Sequence, residues 1–511
     1  MQEDFKLIGD FTPTELEQSG LTIVAPGLYG SGQWYGKRVI GETRDFTGER
    51  TELDQAIAES GAEDRHTLVI DAPTPKAVGG GARSRGDVAD DEALLQVPLG
   101  RDEAAVVMYL DEAGVVSFHY EQPRPATTPA LPSRAFGAAH QAQYRLRLRA
   151  GVSRQPGKSR AMFSRLVSKL IKVLVVKVFP DQVGTYVARR VQAWEEKHRT
   201  FQGLHGGTWA QLLDTKPTPV ADLSRFVGRR SLLLIHGTSS TTAGAFARLA
   251  DAPALLDRLS AQYEGRVLAF NHHTLGTAVA DNVHQFYEAL AGSPGEYAFD
   301  VVCHSRGGLV ARALTRLAPQ SNSAVSGAPS PRLPDVRVSI GRIVFVATPN
   351  AGTALADPEG IPQFVERLTN YVNMLPDAAL TIASGALLSL AGAVAEVTLP
   401  RLPGLADQAP GSPLQEQLAP PPGGTSGFFA FSSDYEPDGD LINVVKDASV
   451  DRIFAGEKND LVVPSAGVAH TPHFDLPEDR IVAFAPKRHV HHSAFFGQKE
   501  IVRIADWLEL P

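Results

Sequence analysis

Two regimes of hydrophobic patterning divide this chain. From residue 1 to 122, short β-branched runs alternate with turn residues: Leu21 to Ala25, Thr67 to Ile70, Ala105 to Leu110 and Val115 to Tyr120. Each has strand length, and the last two, separated by Asp111-Glu112-Ala113-Gly114, read as a β-hairpin. A small β-rich N-terminal domain is therefore predicted. From residue 220 the pattern changes to largely apolar runs, Ser231 to Ile235, Val267 to Phe270, Phe299 to Cys303, Arg342 to Ala347, Phe428 to Phe431 and Ile481 to Ala485. Between them lie stretches of helical spacing, around Val283 to Leu290 and again at Leu309, Val310, Ala313, Leu314 and Leu317, with a closing helix holding Ile501, Ile504 and Trp507. Strands apolar on both faces that alternate with helices predict an α/β domain over 220–511, its mostly parallel sheet covered on both sides. In such sheets reactive groups gather beyond the carboxyl ends of the strands.

Three stretches interrupt this order. Residues 123–142, opening Pro123-Arg124-Pro125, are linker chemistry unable to form a ladder. Residues 143–219 are basic: between Arg145 and Arg199 stand fourteen Lys or Arg against the acids Asp181, Glu195 and Glu196. Within them, Lys158 to Phe179 sets Arg165, Lys169 and Lys172 among Phe163, Leu166, Val167, Leu170, Ile171 and Leu174, the spacing of an amphipathic helix that ends before Pro180. Such a helix offers a peripheral contact with an anionic membrane surface, or packs on the α/β domain with its charges in water. The β-branched run Val173 to Val178 favours the second. Residues 355–427 join a small-residue apolar stretch, Ala378 to Leu399, to the Pro- and Gly-rich Pro400 to Gly424. Without basic flanks this predicts a helical cap over the sheet in preference to a membrane span. Gly79 to Gly86 lacks the Gly-Lys-Ser/Thr of a phosphate loop and reads as a surface loop.

Composition narrows the classes. At 511 residues the chain holds two or three domains, and 43% hydrophobic with 21% charged residues describes a globular protein. A net charge of -8 supplies no basic field for nucleic acid. The single cysteine, Cys303, excludes an intramolecular disulfide. The acidic start, Met1-Gln2-Glu3-Asp4, carries no basic region followed by an apolar stretch, so a cytoplasmic setting is expected.

The candidate chemistry centres on Cys303-His304-Ser305-Arg306-Gly307-Gly308, where a buried strand stops, two glycines follow and a helix begins. A serine at such an apex is held out from the sheet on a strained backbone. The pattern departs from Gly-x-Ser-x-Gly in having Cys303 at its first position. An alcohol needs a base, and the base needs an acid to hold its tautomer. Ser305, Asp460 and His492 supply them in the chain order of this strand-turn-helix arrangement. Asp434 and Asp451 are rival acids, and His491 and His489 rival bases. A metal reading of His470, His473, Asp475 and His489 matches no zinc spacing, and no metal or other cofactor is called for.

Residues 228–511 resemble an α/β-hydrolase, closest to bacterial lipases and esterases. The resemblance rests on Leu234-Ile235-His236-Gly237-Thr238, the Ser305 turn, Ala347-Thr348-Pro349 with Gly352-Thr353, Asn459-Asp460-Leu461-Val462-Val463-Pro464, and His492-Ser493-Ala494-Phe495-Phe496. It implies an α/β-hydrolase fold with a cap insertion and Ser305, Asp460 and His492 as triad, His492 preceding a small and then an apolar pair. The main-chain N–H groups of Thr238 and Arg306 would form the oxyanion hole, with His236, Gly237 and His304 lining the substrate side. The implied activity is hydrolysis of a carboxylic ester, the apolar cap suiting a lipid-like acyl chain. A thioesterase, acyltransferase, lactonase or peptidase would use the same machinery. A membrane- or protein-binding module would use the fold as scaffold.

Overall fold

The computed structural model describes residues 1–26, 28–36, 63–71, 74–75, 92–101, 103–110, 116–119, 121, 139–147, 168–177, 183–199, 201–220, 222–316, 336–353, 402–418, 424–436 and 457–509. Gly79 to Gly86, Pro123 to Pro132, Ala378 to Leu399 and Asp451 lie outside them. The described residues up to 191 form one compact unit and those from 192 onwards a second.

The first unit is built of antiparallel strands. They are β1 (Gln2–Ile8), β2 (Thr14–Leu16), β3 (Leu21–Val24), β4 (Leu28–Tyr35), β5 (Glu63–Asp71), β6 (Thr74–Pro75), β7 (Glu92–Leu99), β8 (Glu103–Leu110), β9 (Val116–His119), β10 (His140–Arg147) and β11 (Ser168–Lys177). One sheet runs β1-β4-β5-β11-β8-β9, with β6 on β4, and the other β10-β7-β3-β2. Alternation puts Leu68, Ile70, Val107, Ile171 and Val173 of the first sheet into one core with Leu21, Ile23, Leu95, Val97 and Tyr144 of the second. The hairpin expected over 105–120 is present as β8 paired with β9.

Two expectations are corrected here. The β-rich unit does not end at 122, because β10 and β11 belong to its sheets. The amphipathic helix of Lys158 to Phe179 is, over 168–177, the strand β11, hydrogen-bonded to β5 on one side and β8 on the other. Ile171, Val173 and Val175 fall on one face at the two-residue period, and the intervening Leu170, Lys172 and Leu174 are also buried. A strand in mid-sheet, covered on both sides, reads as a continuous apolar run that helical spacing also fits. Lys172, only 2% exposed, is paired with the Asp64 carboxylate instead of facing water or lipid. Asp64→Ala is expected to lower the melting temperature of this unit by several degrees, because it takes a carboxylate away from a buried cation. Lys172→Met, which removes the charge and keeps the volume, should cost less; scanning calorimetry of the two variants checks the order.

Helix α1 (Val183–His198) follows. The second unit holds a seven-stranded sheet of β12 (Gly203–Gly206), β13 (Arg230–Ile235), β14 (Val267–Asn271), β15 (Gly295–His304), β16 (Val336–Val346), β17 (Phe428–Ser433) and β18 (Ile481–Phe484), in the order β12-β14-β13-β15-β16-β17-β18. The sheet is mixed: β12 pairs antiparallel with β14, and the remaining pairs are parallel. It therefore begins upstream of residue 220, where the sequence pattern placed its start. Its helices include α2 (Thr242–Phe246), α3 (Pro253–Gln262), α4 (Val279–Leu290), α5 (Gly307–Arg316), α6 (Pro403–Ala406), α7 (Pro413–Gln417) and α8 (Arg503–Leu508). Phe246, Leu255, Leu259, Ile504 and Trp507 pack with Leu232, Leu234, Val302 and Val344 on one face. On the other, Phe286 of α4 stands edge-on to Phe270 and packs on Phe299. Of the expected cap, the described parts are 402–418, which carries α6 and α7, and 424–427. Among the described residues no helix is long and apolar enough to cross a membrane.

Candidate active site

Ser305 stands between β15 and α5 with φ at 54°, in the left-handed region. A side chain there costs free energy, and the turn must be held by its surroundings. The Ser305 N–H donates to the Val346 carbonyl (2.8 Å), tying the turn to the end of β16. A Cβ at Gly307 would stand 2.3 Å from the Ile235 carbonyl oxygen, and one at Gly237 would stand 2.5 Å from the Ser305 Cβ. The turn after β13 and the turn after β15 thus touch through two glycines, which is the physical reason for both. Ser239, Ala347 and Leu461 also have positive φ, all in loops that converge here. Cys303, in place of the expected glycine, is fully buried with its thiol on the Val344 carbonyl (3.3 Å), and burial pushes its pKa up.

Asp460 lies in the loop between β17 and β18. Its Oδ1 accepts from the N–H groups of Val462 (3.0 Å) and Val463 (2.8 Å), and its Oδ2 is 2.8 Å from His492 Nδ1. The His492 N–H also donates to the Asp460 carbonyl (3.1 Å). Of the five described candidates for acid and base, these two are the ones brought together. Asp434 lies 3.8 Å from Lys458, His489 turns its Nδ1 to the Glu436 carbonyl (2.6 Å), and His491 stands edge-on to Tyr435. His470 pairs with Asp475. Among the described residues no three His, Cys, Asp or Glu cluster as a metal ion would need.

His304 joins the nucleophile's turn to the base. Its Nε2 donates to the His492 carbonyl (2.8 Å), and the two rings lie 4.9 Å apart. Burial, then the nearby His492, pushes its pKa down to about 3, so it is neutral. His236 meets main chain through both ring nitrogens. Its Nε2 accepts the His272 N–H (3.1 Å), which leaves the proton on Nδ1, 3.0 Å from the Gly237 carbonyl. Both ring nitrogens are used by main chain, and the residue holds the loop after β13.

Burial is the first cause that pushes His236 to about 3, His205 to about 4 and His272 well below the ordinary value. With folded pKa values below the unfolded 6.5, protons bind preferentially to the unfolded chain as pH falls. Stability should therefore drop from pH 6.5 towards pH 4, by roughly 1 kcal/mol per pH unit for each of these imidazoles and His304. Urea unfolding of the full chain at pH 7, 6 and 5 reads this directly.

Arg306 is 0% exposed, and its main-chain N–H finds no acceptor among the described residues. Neither does that of Thr238. A buried, unpaired N–H is costly unless something completes it. The guanidinium of Arg306 donates through Nε to the Gly404 carbonyl (3.0 Å) and through Nη2 to that of Thr277 (2.7 Å). Burial lowers its pKa to about 10 against the opposing pull of Asp407 and Glu195. Glu195, itself buried, accepts from the N–H groups of Thr274 (2.5 Å), Leu275 (3.0 Å) and Gly276 (3.1 Å). Neither carboxylate was singled out in the sequence, where Glu195 is one acid in a basic stretch.

The family model described as Domain of unknown function (DUF7379) matches residues 197–509. Among curated proteins none matches. Solved structures with partial likeness include the phospholipase PlaB of Legionella pneumophila, at 16% identity and TM-score 0.29, over 47% of this chain and 45% of that one. This chain thus spans less than half of that protein's length. EstA of Clostridium botulinum overlaps 63% of this chain and 97% of its own at 14% identity and TM-score 0.35. Lipase 1 of Pelosinus fermentans overlaps 55% and 99% at 13% identity and TM-score 0.37.

Proposed function

We propose that this chain, which belongs to the family described as Domain of unknown function (DUF7379) over residues 197–509, is a serine hydrolase of the α/β-hydrolase type that cleaves carboxylic esters. The observation that carries this is the buried Asp460–His492 pair at 2.8 Å, bonded through His304 to the turn that holds Ser305. With Nδ1 given to Asp460, Nε2 of His492 is the nitrogen left to act as base.

In the reaction the Ser305 oxygen bonds to the acyl carbon as its proton passes to His492 Nε2. The carbonyl oxygen becomes an oxyanion and takes hydrogen bonds from the N–H groups of Thr238 and Arg306. Main-chain donors held in place before the reaction cost no reorganisation as the charge develops. Collapse breaks the bond to the alcohol, which leaves with the proton from His492. Water then gives a proton to His492 Nε2 and attacks the acyl-enzyme, and the acid departs as Ser305 regains its hydrogen. Asp460 stays ionised throughout and stabilises the imidazolium.

A fluorophosphonate probe tests the reading. One covalent adduct on the peptide containing Ser305 is expected by mass spectrometry, together with faster turnover of p-nitrophenyl esters than of thioesters or peptides. Labelling at another residue, or none on folded protein, would overturn it.

A further inference from the structure

The two residues given the oxyanion hole are tied by their side chains to one carbonyl. The Thr238 hydroxyl donates to Gln408 Oε1 (3.2 Å), Gln408 Nε2 donates to the Gly404 carbonyl (2.9 Å), and that same oxygen accepts from Arg306 Nε (3.0 Å). Gln408 is 3% exposed, and its own carbonyl accepts the Thr353 N–H (2.9 Å), which fixes it to the loop after β16. Gly404 has no freedom to drift: its N–H donates to the Leu275 carbonyl (3.1 Å), and a Cβ there would stand 2.1 Å from the Thr274 carbonyl oxygen.

We infer that Gln408 is a positioning residue that sets the distance between the two oxyanion donors. Thr238 follows β13 and Arg306 follows β15, in turns that already touch at Gly237 and Gly307, and the side-chain bridge adds a second tie between the two residues that carry the donors. The Thr238–Gln408–Gly404–Arg306 chain spans them through four polar groups on a buried segment. Donors aimed at developing charge must hold to within tenths of an ångström, so the bridge acts on the transition state far more than on bound substrate. This inference rests on the hydrolase reading above.

Gln408→Leu removes both side-chain bonds, and Thr238→Val removes the hydroxyl while keeping size and main-chain N–H. Each is expected to lower kcat for p-nitrophenyl butyrate about tenfold or more with KM within about twofold, and to weaken a boronic-acid inhibitor in parallel. Thr238→Ser, which restores the hydroxyl, should recover most of what Thr238→Val loses. The double variant Thr238→Val with Gln408→Leu should be no worse than the poorer single. Unchanged kcat in the single variants, losses that multiply in the double, or Thr238→Ser as poor as Thr238→Val would overturn the inference. If Gln408→Leu does not fold, the Val and Ser variants at 238 decide alone. An active Ser305→Ala would sink the hydrolase reading itself; an inactive one beside a fully active Gln408→Leu sinks only the bridge.

Discussion

Ser305→Ala is expected to lower ester turnover by on the order of 10⁴- to 10⁶-fold, to the level of buffer, while the melting temperature stays within a degree or two. The size follows from what one oxygen supplies. Without it His492 has no alcohol to deprotonate, no acyl-enzyme forms, and the donors at Thr238 and Arg306 have no tetrahedral intermediate to receive. The stability expectation follows from the turn. The wild-type chain already holds a non-glycine residue at φ 54°, fixed by the Ser305 N–H on Val346 and by Gly237 and Gly307 packed against it. Alanine keeps the Cβ and these contacts, so it meets the same strain. Residual activity above about 1% of wild type would place the nucleophile elsewhere.

What the sequence disclosed here was local chemistry in chain order. The Ser305 turn was legible because strand, glycines and helix are contiguous and each obeys its own period. Asp460 and His492 were legible as candidates, since each follows a strand-like run, but the choice against Asp434 and His491 needed the fold. It is the loop bonds of Val462 and Val463 that aim one carboxylate at one imidazole. The strand β11 was hidden because apolar positions filling both faces satisfy two periods at once. The edge strand β12 was hidden for the opposite reason: Gly203-Leu204-His205-Gly206 has almost no pattern and is a strand through its pairing with β14. Gln408 carries no local signal either. It sits in a Pro- and Gly-rich stretch, and its role exists only where that stretch meets Thr238 and Arg306.

Asp460→Asn should reduce kcat by about 10⁴-fold with little change in KM or fold. The Val462 and Val463 N–H groups need an acceptor, so the carboxamide oxygen would occupy the Oδ1 position and the amide nitrogen the Oδ2 position. That nitrogen donates and cannot accept, so Nδ1 of His492 loses its proton to meet it and the proton moves to Nε2. A histidine protonated on Nε2 cannot take the hydrogen of Ser305. Because the main-chain bond from His492 to the Asp460 carbonyl survives, the ring stays in place and the defect is one of tautomer. Asp434→Asn, at a carboxylate 3.8 Å from Lys458, should leave kcat within about twofold of wild type. Steady-state kinetics on the two variants separates the acids. Equal losses, or a larger loss at 434, would move the charge-stabilising role away from Asp460, and the base would then have to be sought beside a different carboxylate.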